Sequence, residues 1–296
     1  MDMQPDPVLS DLRPRLVRLA YRMLGSVVDA EDVVQDAYAR WLTADRDMVR
    51  EPAAFLRTIV TRLCLNALKA AKRRDERYIG PWLPDPVFDP EDDAAPDDVT
   101  LPLMMALERL SPLERAAFLL HDVFGVSFAE VARTIGRSEP TCRKLASRAR
   151  THVHKARPRF SVTREEGHRM AAAFFKATRE GDMTALRSLL AADVVAYADG
   201  GGKVPATPLP LNGLHSVLVR HAEMARGFAL APSRLVLYGF INGLPGFVTV
   251  EAGDITQTTS LQISDGRISA IYVMRNPDKL RHLFAAPPAG FAVGRE

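Results

Sequence analysis

A stretch near the middle of the chain, residues 127–150, has the pattern of a helix-turn-helix. Val131 and Ile135 place apolar side chains on one face of a short first helix. Gly136 follows, and glycine most readily takes the positive φ of a sharp turn between helices. Ser138 is then placed as the N-cap of a second helix, with a proline in the first helical turn.

The second helix of this motif is predicted to present a polar and basic surface. Cys142 and Leu145 are expected to face inward, and residues 143–159 contain seven Lys or Arg and no acidic residue. A short helix that enters the major groove, with positive charge behind it, is how such motifs bind DNA. An ordinary helical hairpin with a solvated basic face is the alternative. The candidates for DNA contact are Thr141, Arg143, Lys144, Ser147 and Arg148.

The composition limits the classes of protein that can carry this motif. With 296 residues, the chain is long enough for two or three domains. The formal net charge is only +3, so nucleic acid would have to be bound by local basic patches. Cys64 and Cys142 both fall in helical patterns, which argues against a disulfide scaffold. A leader and a long apolar run are both missing from the sequence, so we expect a cytoplasmic protein with no membrane contact.

Two helices are predicted before residue 43. Val8 to Leu24 has leucines at helical spacing opposite arginines, and Gly25 ends this helix. Asp29 to Leu42 has one apolar face and one mostly acidic face. Carboxylates in a first turn stabilise a helix through its dipole, but an acidic face also suits a basic protein partner better than it suits DNA. The exposed polar residues of interest are Asp32, Gln35 and Asp36.

A third, basic helix is predicted from Pro52 to Arg74. Phe55, Ile59 and Leu63 are expected on its core side, together with residues 65–68. A helix that alternates packing residues with Arg, Asn and Lys can bind phosphates and unstacked bases, although basic helix surfaces are also common without that role. The candidates are Arg57, Arg62, Asn66, Lys69 and Arg73.

The acidic helix D-A-E-D-V-V-Q-D-A-Y-A-R-W-L, the basic helix after it and the helix-turn-helix occur in a characteristic order. In this order they resemble an alternative bacterial sigma factor of the extracytoplasmic-function group, which retains only domains two and four. The resemblance implies all-α domains at 1–77 and 103–160. It implies that the acidic face binds the β′ clamp of core RNA polymerase and that domain four meets the β flap. It also implies that the basic helix, with the loop at 46–51, melts and reads the −10 element of promoter DNA. The exposed residues of the helix-turn-helix would read the −35 element.

Residues 78–102 are predicted to be an acidic, Pro-rich linker. Between Asp85 and Asp98 there are seven acidic residues and no basic one. Such a segment is expected to be extended or disordered and unable to pack a core. The cluster Trp82-Leu83-Pro84 is the exception, because apolar side chains in a polar linker need a surface to bury them. We expect Trp82 and Leu83 to dock on a neighbouring domain.

The pattern changes after residue 161. Three helices are predicted, followed by four strands that are separated by Asn242-Gly243 and Asp265-Gly266 turns. This order indicates an α+β cone over 161–285, with a flexible tail at 286–296, and it resembles the SnoaL-like, NTF2-like superfamily. The helices are expected at 163–180, 182–190 and 214–228, and the strands at 235–240, 247–251, 257–263 and 268–274.

Three further motifs extend the resemblance over nearly the whole chain. The sigma group with a SnoaL-like extension carries W-L-P-x-P in the linker, D-G-G-G-K in the extension and N-P-D-K-L near its end. The resemblance implies that these segments contact the sigma core and that the extension sets its activity in cis. The residues concerned are Trp82, Leu83, Pro84, Asp199, Gly200, Gly201, Gly202, Lys203, Asn276, Pro277, Asp278, Lys279 and Leu280.

The sequence does not predict an enzyme, a cofactor or a metal site. D-G-G-G-K lacks the spacing of a phosphate-binding loop, and no spacing singles out an acid–base pair among Asp199, Glu251, Asp254, His215 and His221. The sequence leaves open whether the cone binds a small ligand. The leading prediction is a sigma factor, and the alternative is a ligand-responsive helix-turn-helix regulator with an NTF2-like sensor. The alternative needs neither an acidic polymerase-facing helix nor a separate melting helix.

Overall fold

The chain divides into two compact units in a computed structural model that describes residues 7–71, 78–89, 100–153 and 162–285. The first unit comprises the described residues within Met1–Arg77 and Leu103–Arg157. The second comprises those within Tyr78–Pro102 and Pro158–Glu296. The two predicted helical domains therefore form one unit. The described residues of the segment 78–102, which was predicted to be a separate linker, group with the C-terminal domain.

The first unit begins with three helices: α1 (Pro7–Leu24), α2 (Val27–Thr43) and α3 (Pro52–Ala71). Gly25 takes a φ of 71° directly after α1, and Ser26 caps α2 by accepting a hydrogen bond from the backbone N of Asp29. Apolar residues of all three helices form the core between them. They include Leu19, Met23, Val34, Trp41 and Leu56, all nearly or fully inaccessible to solvent.

The core face of α3 was predicted one residue out of register. The most deeply buried side chains are those of Leu56, Val60 and Cys64, whereas Phe55 and Ile59 of the predicted set are only partly buried. The physical reason is that α3 contacts α1 and α2 on one side and two helices of the second block on another. Its apolar surface is therefore broader than a single stripe. Residues 72–77, and with them Arg73, lie outside the described residues.

The second helical block has the predicted helix-turn-helix. Ser111 and Glu114 form a capping box at the start of α5, and Gly136 takes the predicted left-handed conformation with a φ of 66°. Cys142 is buried as predicted, but Leu145 is only partly buried, because Ala146 lies on the face that packs inward. The elements are α4 (Leu101–Glu108), α5 (Pro112–Phe118), a π-helical turn (Leu119–Val123), α6 (Phe128–Ile135) and α7 (Glu139–Val153).

The second unit is an α+β domain, as predicted. Helices α8 (Arg164–Glu180), α9 (Met183–Leu189) and α10 (Leu214–Leu230) pack with a six-stranded sheet in the order β2-β1-β6-β5-β4-β3. The strands are β1 (Leu190–Asp199), β2 (Leu211–Asn212), β3 (Arg234–Ile241), β4 (Leu244–Glu251), β5 (Ile255–Ser264) and β6 (Arg267–Met274).

Strands β3 to β6 form the predicted antiparallel meander, while β1 pairs with β6 in parallel. The two predicted turns have residues with positive φ at Asn242 and Asp265. The sequence did not predict the full length of β1, because a parallel pair between distant strands leaves no local hairpin signal. It also did not predict strand β2 or the short helices α11 (Pro277–Leu280) and α12 (His282–Ala285).

The segment 78–89 is extended, as predicted, and it packs along this domain over more of its length than the expected docking of Trp82 and Leu83. Phe88 forms an antiparallel bridge with Ile241, at the end of edge strand β3. The backbone N of Asp89 donates to the carbonyl of Phe240 at 2.9 Å, and that of Asn242 donates to the carbonyl of Val87 at 2.8 Å. An edge strand has backbone groups that need partners, and this segment supplies them. Residues 90–99, with most of the acidic run, lie outside the described residues.

A pair of glycines tests the packing of the second unit. A Cβ at Gly246 would lie 2.1 Å from the carbonyl oxygen of Thr259 on β5, whereas a Cβ at Gly227 in α10 would meet nothing within 4 Å. We expect Gly246→Ala to destabilise the domain by about 1–3 kcal/mol through overpacking. Gly227→Ala should stabilise it by about 0.5–1 kcal/mol. Differential scanning calorimetry checks both, and equal effects would contradict the close approach of β4 and β5.

Candidate nucleic-acid interface and linker contact

The predicted polymerase-facing residues lie together on the outer face of α2. Asp32, Gln35 and Asp36 are all exposed, and residues three and four apart share one face of a helix. Val33 and Val34 are buried against the rest of the bundle. The acidic face is therefore open to a partner of opposite charge.

Helix α7 presents the predicted polar and basic surface. All five candidates, Thr141 among them, are exposed. The guanidinium of Arg143 lies 3.3 Å from a carboxylate oxygen of Glu139 and 4.9 Å from the centre of the Phe128 ring. These contacts orient Arg143, and the exposed Lys144, Ser147 and Arg148 complete the surface.

The predicted −10 residues are divided between two environments. Arg57 forms an ion pair of 3.3 Å with Glu130 on α6. Arg62 donates from Nε to the carbonyl of Thr134 at 3.1 Å and from Nη2 to that of Arg133 at 3.0 Å. Asn66 and Lys69 are exposed, and Arg73 lies outside the described residues.

Arg62 thus satisfies carbonyl groups at the end of α6, where a helix leaves its last carbonyls without partners and carries a partial negative charge. Beside it, the hydroxyl oxygens of Thr58 and Thr134 lie 3.3 Å apart. Sequence reasoning missed this contact between α3 and α6 because it joins residues more than 70 positions apart.

Arg115 was also missed by the sequence analysis. It is buried, donates to the carbonyl of Met23 at the end of α1 at 2.6 Å, and pairs with Glu108 at 2.7 Å. A charged residue among the apolar positions of α5 was the available signal, because arginine is rarely buried without a partner. Arg62 and Arg115 each bind the end of a helix from the other helical block.

The linker motif and the two extension motifs meet at the carboxylate of Asp199, which is 0% exposed. Its Oδ1 accepts a hydrogen bond from the Tyr78 hydroxyl at 2.5 Å and one from the backbone N of Gly201 at 3.0 Å. Its Oδ2 accepts from the backbone N of Leu83 at 2.9 Å and from the ammonium of Lys279 at 2.9 Å. Burial, and then the hydrogen bond to the neighbouring carboxylate, raise the pKa of Tyr78 well above its usual value.

Lys279 joins the last motif to the linker. Its Nζ donates to the carbonyl of Leu83 at 2.5 Å and lies 4.2 Å from the centre of the Trp82 ring and 4.9 Å from that of Tyr78. Asn276 donates from Nδ2 to the Tyr78 hydroxyl at 3.1 Å. We call this set of contacts around Asp199 the linker clamp.

The glycines of D-G-G-G-K have no side chain, which allows neighbouring residues of the linker clamp to approach this backbone closely. A Cβ at Gly201 would lie 2.1 Å from Nδ2 of Asn276, and one at Gly202 would lie 2.9 Å from the side chain of Ile79. Lys203 instead pairs with Asp278 at the surface. The expected docking of Leu83 on a neighbouring domain is found, because its side chain is buried. The three motifs thus contact one another within the second unit, and their contact with the sigma core stays a prediction.

The second unit also contains a cavity of about 400 Å³ between α8, α10 and the sheet. Among its lining residues, Arg179 and Glu251 form an ion pair of 2.8 Å. His221 and Arg275 also line it. No group of three or more potential metal ligands is found in the described ranges. In the same ranges, no helix combines the length and the apolarity needed to cross a membrane.

Comparison with known proteins relates both helical blocks to one family. Sigma-70 region 2 matches residues 8–74, and Sigma-70 region 4 matches residues 100–153. The ECF RNA polymerase sigma factor SigJ of Mycobacterium tuberculosis is 36% identical over 284 residues, covering 90% of this chain and 90% of that protein. The probable ECF RNA polymerase sigma factor SigI of the same species is 32% identical over 292 residues, covering 95% and 98%.

The likeness to solved structures also extends over nearly the whole length. The crystal structure of M. tuberculosis extracytoplasmic function sigma factor SigJ superposes with a TM-score of 0.74 at 34% identity, covering 93% of this chain and 97% of that one. The match therefore includes the C-terminal unit as well as the two sigma regions. The chain belongs to the extracytoplasmic-function RNA polymerase sigma factors.

Proposed function

We propose that this sigma factor directs core RNA polymerase to promoters with separate −10 and −35 elements, and that its C-terminal domain controls this activity in cis. The observation that carries the proposal is that Sigma-70 regions 2 and 4 coincide with the blocks bearing the acidic face of α2 and the basic surface of α7. A sigma factor is not an enzyme, so its action is entirely non-covalent. Because it works with polymerase on the chromosome, we place it in the cytoplasm.

Each surface has one role in this proposal. The acidic face of α2 binds the β′ clamp of core polymerase, and the region-4 block meets the β flap. The exposed side chains of α7 reach base edges and phosphates of the −35 element. Helix α3 binds the −10 element, with Asn66 and Lys69 already exposed. The direct test is run-off transcription with purified core polymerase, and the absence of specific initiation would contradict the proposal.

The contact between α3 and α6 has to open before Arg57 and Arg62 can reach DNA. A partly exposed ion pair contributes about 0–1 kcal/mol, and each hydrogen bond about 0.5–1.5 kcal/mol. These contacts are weak enough for promoter phosphates and polymerase binding to replace them. In the described arrangement of the two helical blocks, Arg57 and Arg62 are therefore held on α6 and away from DNA. We call this arrangement the closed state.

The linker clamp supplies the control in cis. Residues 78–89 lie in the chain between α3 and α4, and the clamp holds them on the C-terminal domain. Releasing these 12 residues would add up to about 40 Å of extended chain between the two promoter-reading blocks. The clamp therefore sets how far apart the two blocks can bind. A small ligand in the cavity of the C-terminal domain would be the signal that acts on it.

Charge reversal on α2 tests polymerase binding. Asp32→Lys combined with Asp36→Lys should weaken binding to core polymerase at least about tenfold, because α2 then presents charges of the same sign as those of the β′ clamp. Both side chains are exposed, so folding should be unaffected. Fluorescence anisotropy with labelled protein measures the affinity. Glu165→Lys combined with Glu180→Lys, two exposed reversals on α8, is the control matched in charge, and equal losses in both variants would contradict a specific acidic face.

A disulfide between α3 and α6 tests the need for opening. Thr58→Cys with Thr134→Cys places two thiols where the hydroxyls lie 3.3 Å apart, and the native cysteines are both buried. Oxidised protein should form at least about tenfold fewer open complexes, a loss of about 1.4 kcal/mol or more, and a reductant should restore them. Permanganate footprinting of the promoter measures opening. Thr58→Cys alone is the control, and full activity of the cross-linked protein would disprove the closed state.

Asp199→Asn tests the linker clamp. Removing one partner of a buried ion pair costs about 3–5 kcal/mol, so hydrogen exchange of residues 78–89 should accelerate. Transcription should then tolerate longer and shorter spacers between the −35 and −10 elements than wild-type protein does. Lys203→Ala breaks only an exposed pair in the same motif, worth about 0–1 kcal/mol, and should change neither property. Unchanged exchange and unchanged spacer preference in Asp199→Asn would rule out the clamp.

A further inference from the structure

The cavity of the C-terminal domain has the size and the apolar wall of a small-molecule site. Its volume of about 400 Å³ falls within the range of about 300–1,000 Å³ that is usual for such sites. Aromatic and sulfur-containing side chains form much of the wall. They are Phe174, Phe228, Phe247, Tyr197 and Met224. Such walls favour ligands that contain a flat apolar ring.

The charges in the cavity do not balance. Three arginines and two glutamates line it. Arg179 pairs with Glu251 at 2.8 Å, and Arg220 pairs with Glu223 at 3.3 Å. Arg275 is the lining arginine that has no carboxylate at ion-pair distance within the described part of the chain.

Arg275 has binding capacity left over. Its Nη1 donates to the carbonyl of Pro205 at 2.6 Å, while its buried Nε has no hydrogen-bond partner among the described residues. Burial lowers the pKa of Arg275, which reflects the cost of a charge removed from water. A carboxylate is the ideal partner for a guanidinium, because it accepts two parallel hydrogen bonds.

A second polar group faces the same space. His221 on α10 is 9% exposed, and its Nδ1 has no hydrogen-bond partner among the described residues. Burial, together with the positive charges of Arg179 and Arg220, lowers the pKa of His221 to about 4. The ring is therefore neutral at pH 7 and offers one donor and one acceptor. A buried polar atom without a partner is costly, and a ligand hydroxyl or carbonyl would remove that cost.

We propose that the cavity binds a small organic acid whose carboxylate pairs with Arg275, whose ring lies against the aromatic wall, and whose second polar group bonds to His221. A monoanion fits better than a phosphate dianion, because Glu223 and Glu251 add negative charge nearby. This inference deepens the proposed function and depends on it only for the effect on transcription.

The position of Arg275 connects the acid to the linker clamp. Its backbone N donates to the carbonyl of Asp199 at 2.8 Å, and the backbone N of Asn276 donates to the same carbonyl at 3.0 Å. Asn276 in turn binds the hydroxyl of Tyr78 in the linker. One dipeptide therefore touches both the ligand site and the clamp.

Isothermal titration calorimetry with the full-length protein, without polymerase, tests the ligand class. The probes are 1-naphthaleneacetate and its neutral counterpart, 1-naphthaleneacetamide. Wild-type protein should bind the acid with a Kd below about 1 mM, at least about tenfold more tightly than it binds the amide. Arg275→Met should reduce binding of the acid to the level of the amide and leave binding of the amide unchanged. Arg187→Gln, an exposed change on α9 that does not line the cavity, is the control and should bind the acid as wild type does.

The outcomes are distinguishable. No binding of the acid, equal binding of acid and amide, or unchanged affinity in Arg275→Met would overturn the inference. If circular dichroism shows that Arg275→Met does not fold, Arg275→Lys takes its place, and it should bind the acid more weakly than wild type but more tightly than it binds the amide. Transcription is assayed separately: control in cis without acid binding defeats only this inference, whereas acid binding without control in cis supports the site and defeats the proposed regulation.

Discussion

A fully buried carboxylate is the constraint on which the C-terminal domain depends. An ionised group with no access to water is tolerated only when hydrogen bonds and an opposite charge compensate it. Asp199 has four donors, and two of them, the hydroxyl of Tyr78 and the backbone N of Leu83, come from the linker. Among the described residues, the rest of the domain supplies the other two donors, Gly201 and Lys279. The linker is therefore part of what keeps this carboxylate satisfied, and the clamp cannot open without exposing a charge or finding it a new partner.

In the two helical blocks the charged groups are cations, and carbonyl groups are the hydrogen-bond partners that compensate them. Arginines from each block reach carbonyl groups at a helix end of the other, as Arg62 does for α6 and Arg115 for α1. These bonds differ in accessibility, because Arg115 is buried whereas Arg62 is exposed. The contact at Arg115 is consequently expected to persist when DNA binds, whereas the contact at Arg62 is expected to be replaced by contacts with DNA. The packing of the two blocks thus combines a stable contact between α5 and α1 with a contact between α3 and α6 that can open.

Local chemistry explains which features the sequence predicted. The turn at Asn242-Gly243 and the left-handed Gly136 depend on a few neighbouring residues, and both were confirmed. The core face of α3 was placed one residue off because its packing partners come from two blocks that the local pattern does not reveal. The motif residues were found by resemblance, but their convergence on Asp199 joins positions that are 80 residues apart at Lys279 and 116 residues apart at Leu83. Arg275 in the cavity was missed, since only the fold shows that no carboxylate of the described residues lies at ion-pair distance from it.

The bridge between Phe88 and Ile241 has a consequence for how such proteins diversify. A boundary drawn at residue 161 by sequence pattern would cut the C-terminal domain away from a segment that completes its edge strand and buries Leu83. Recombination at that point would leave an open sheet edge and would deprive the carboxylate of Asp199 of two of its donors. Junctions before Tyr78 and after Pro102 keep the edge strand paired and the carboxylate of Asp199 hydrogen-bonded, as the division of the chain into units indicates. Linker and extension are therefore expected to be inherited, and to be exchanged in chimeric sigma factors, as a single discontinuous module.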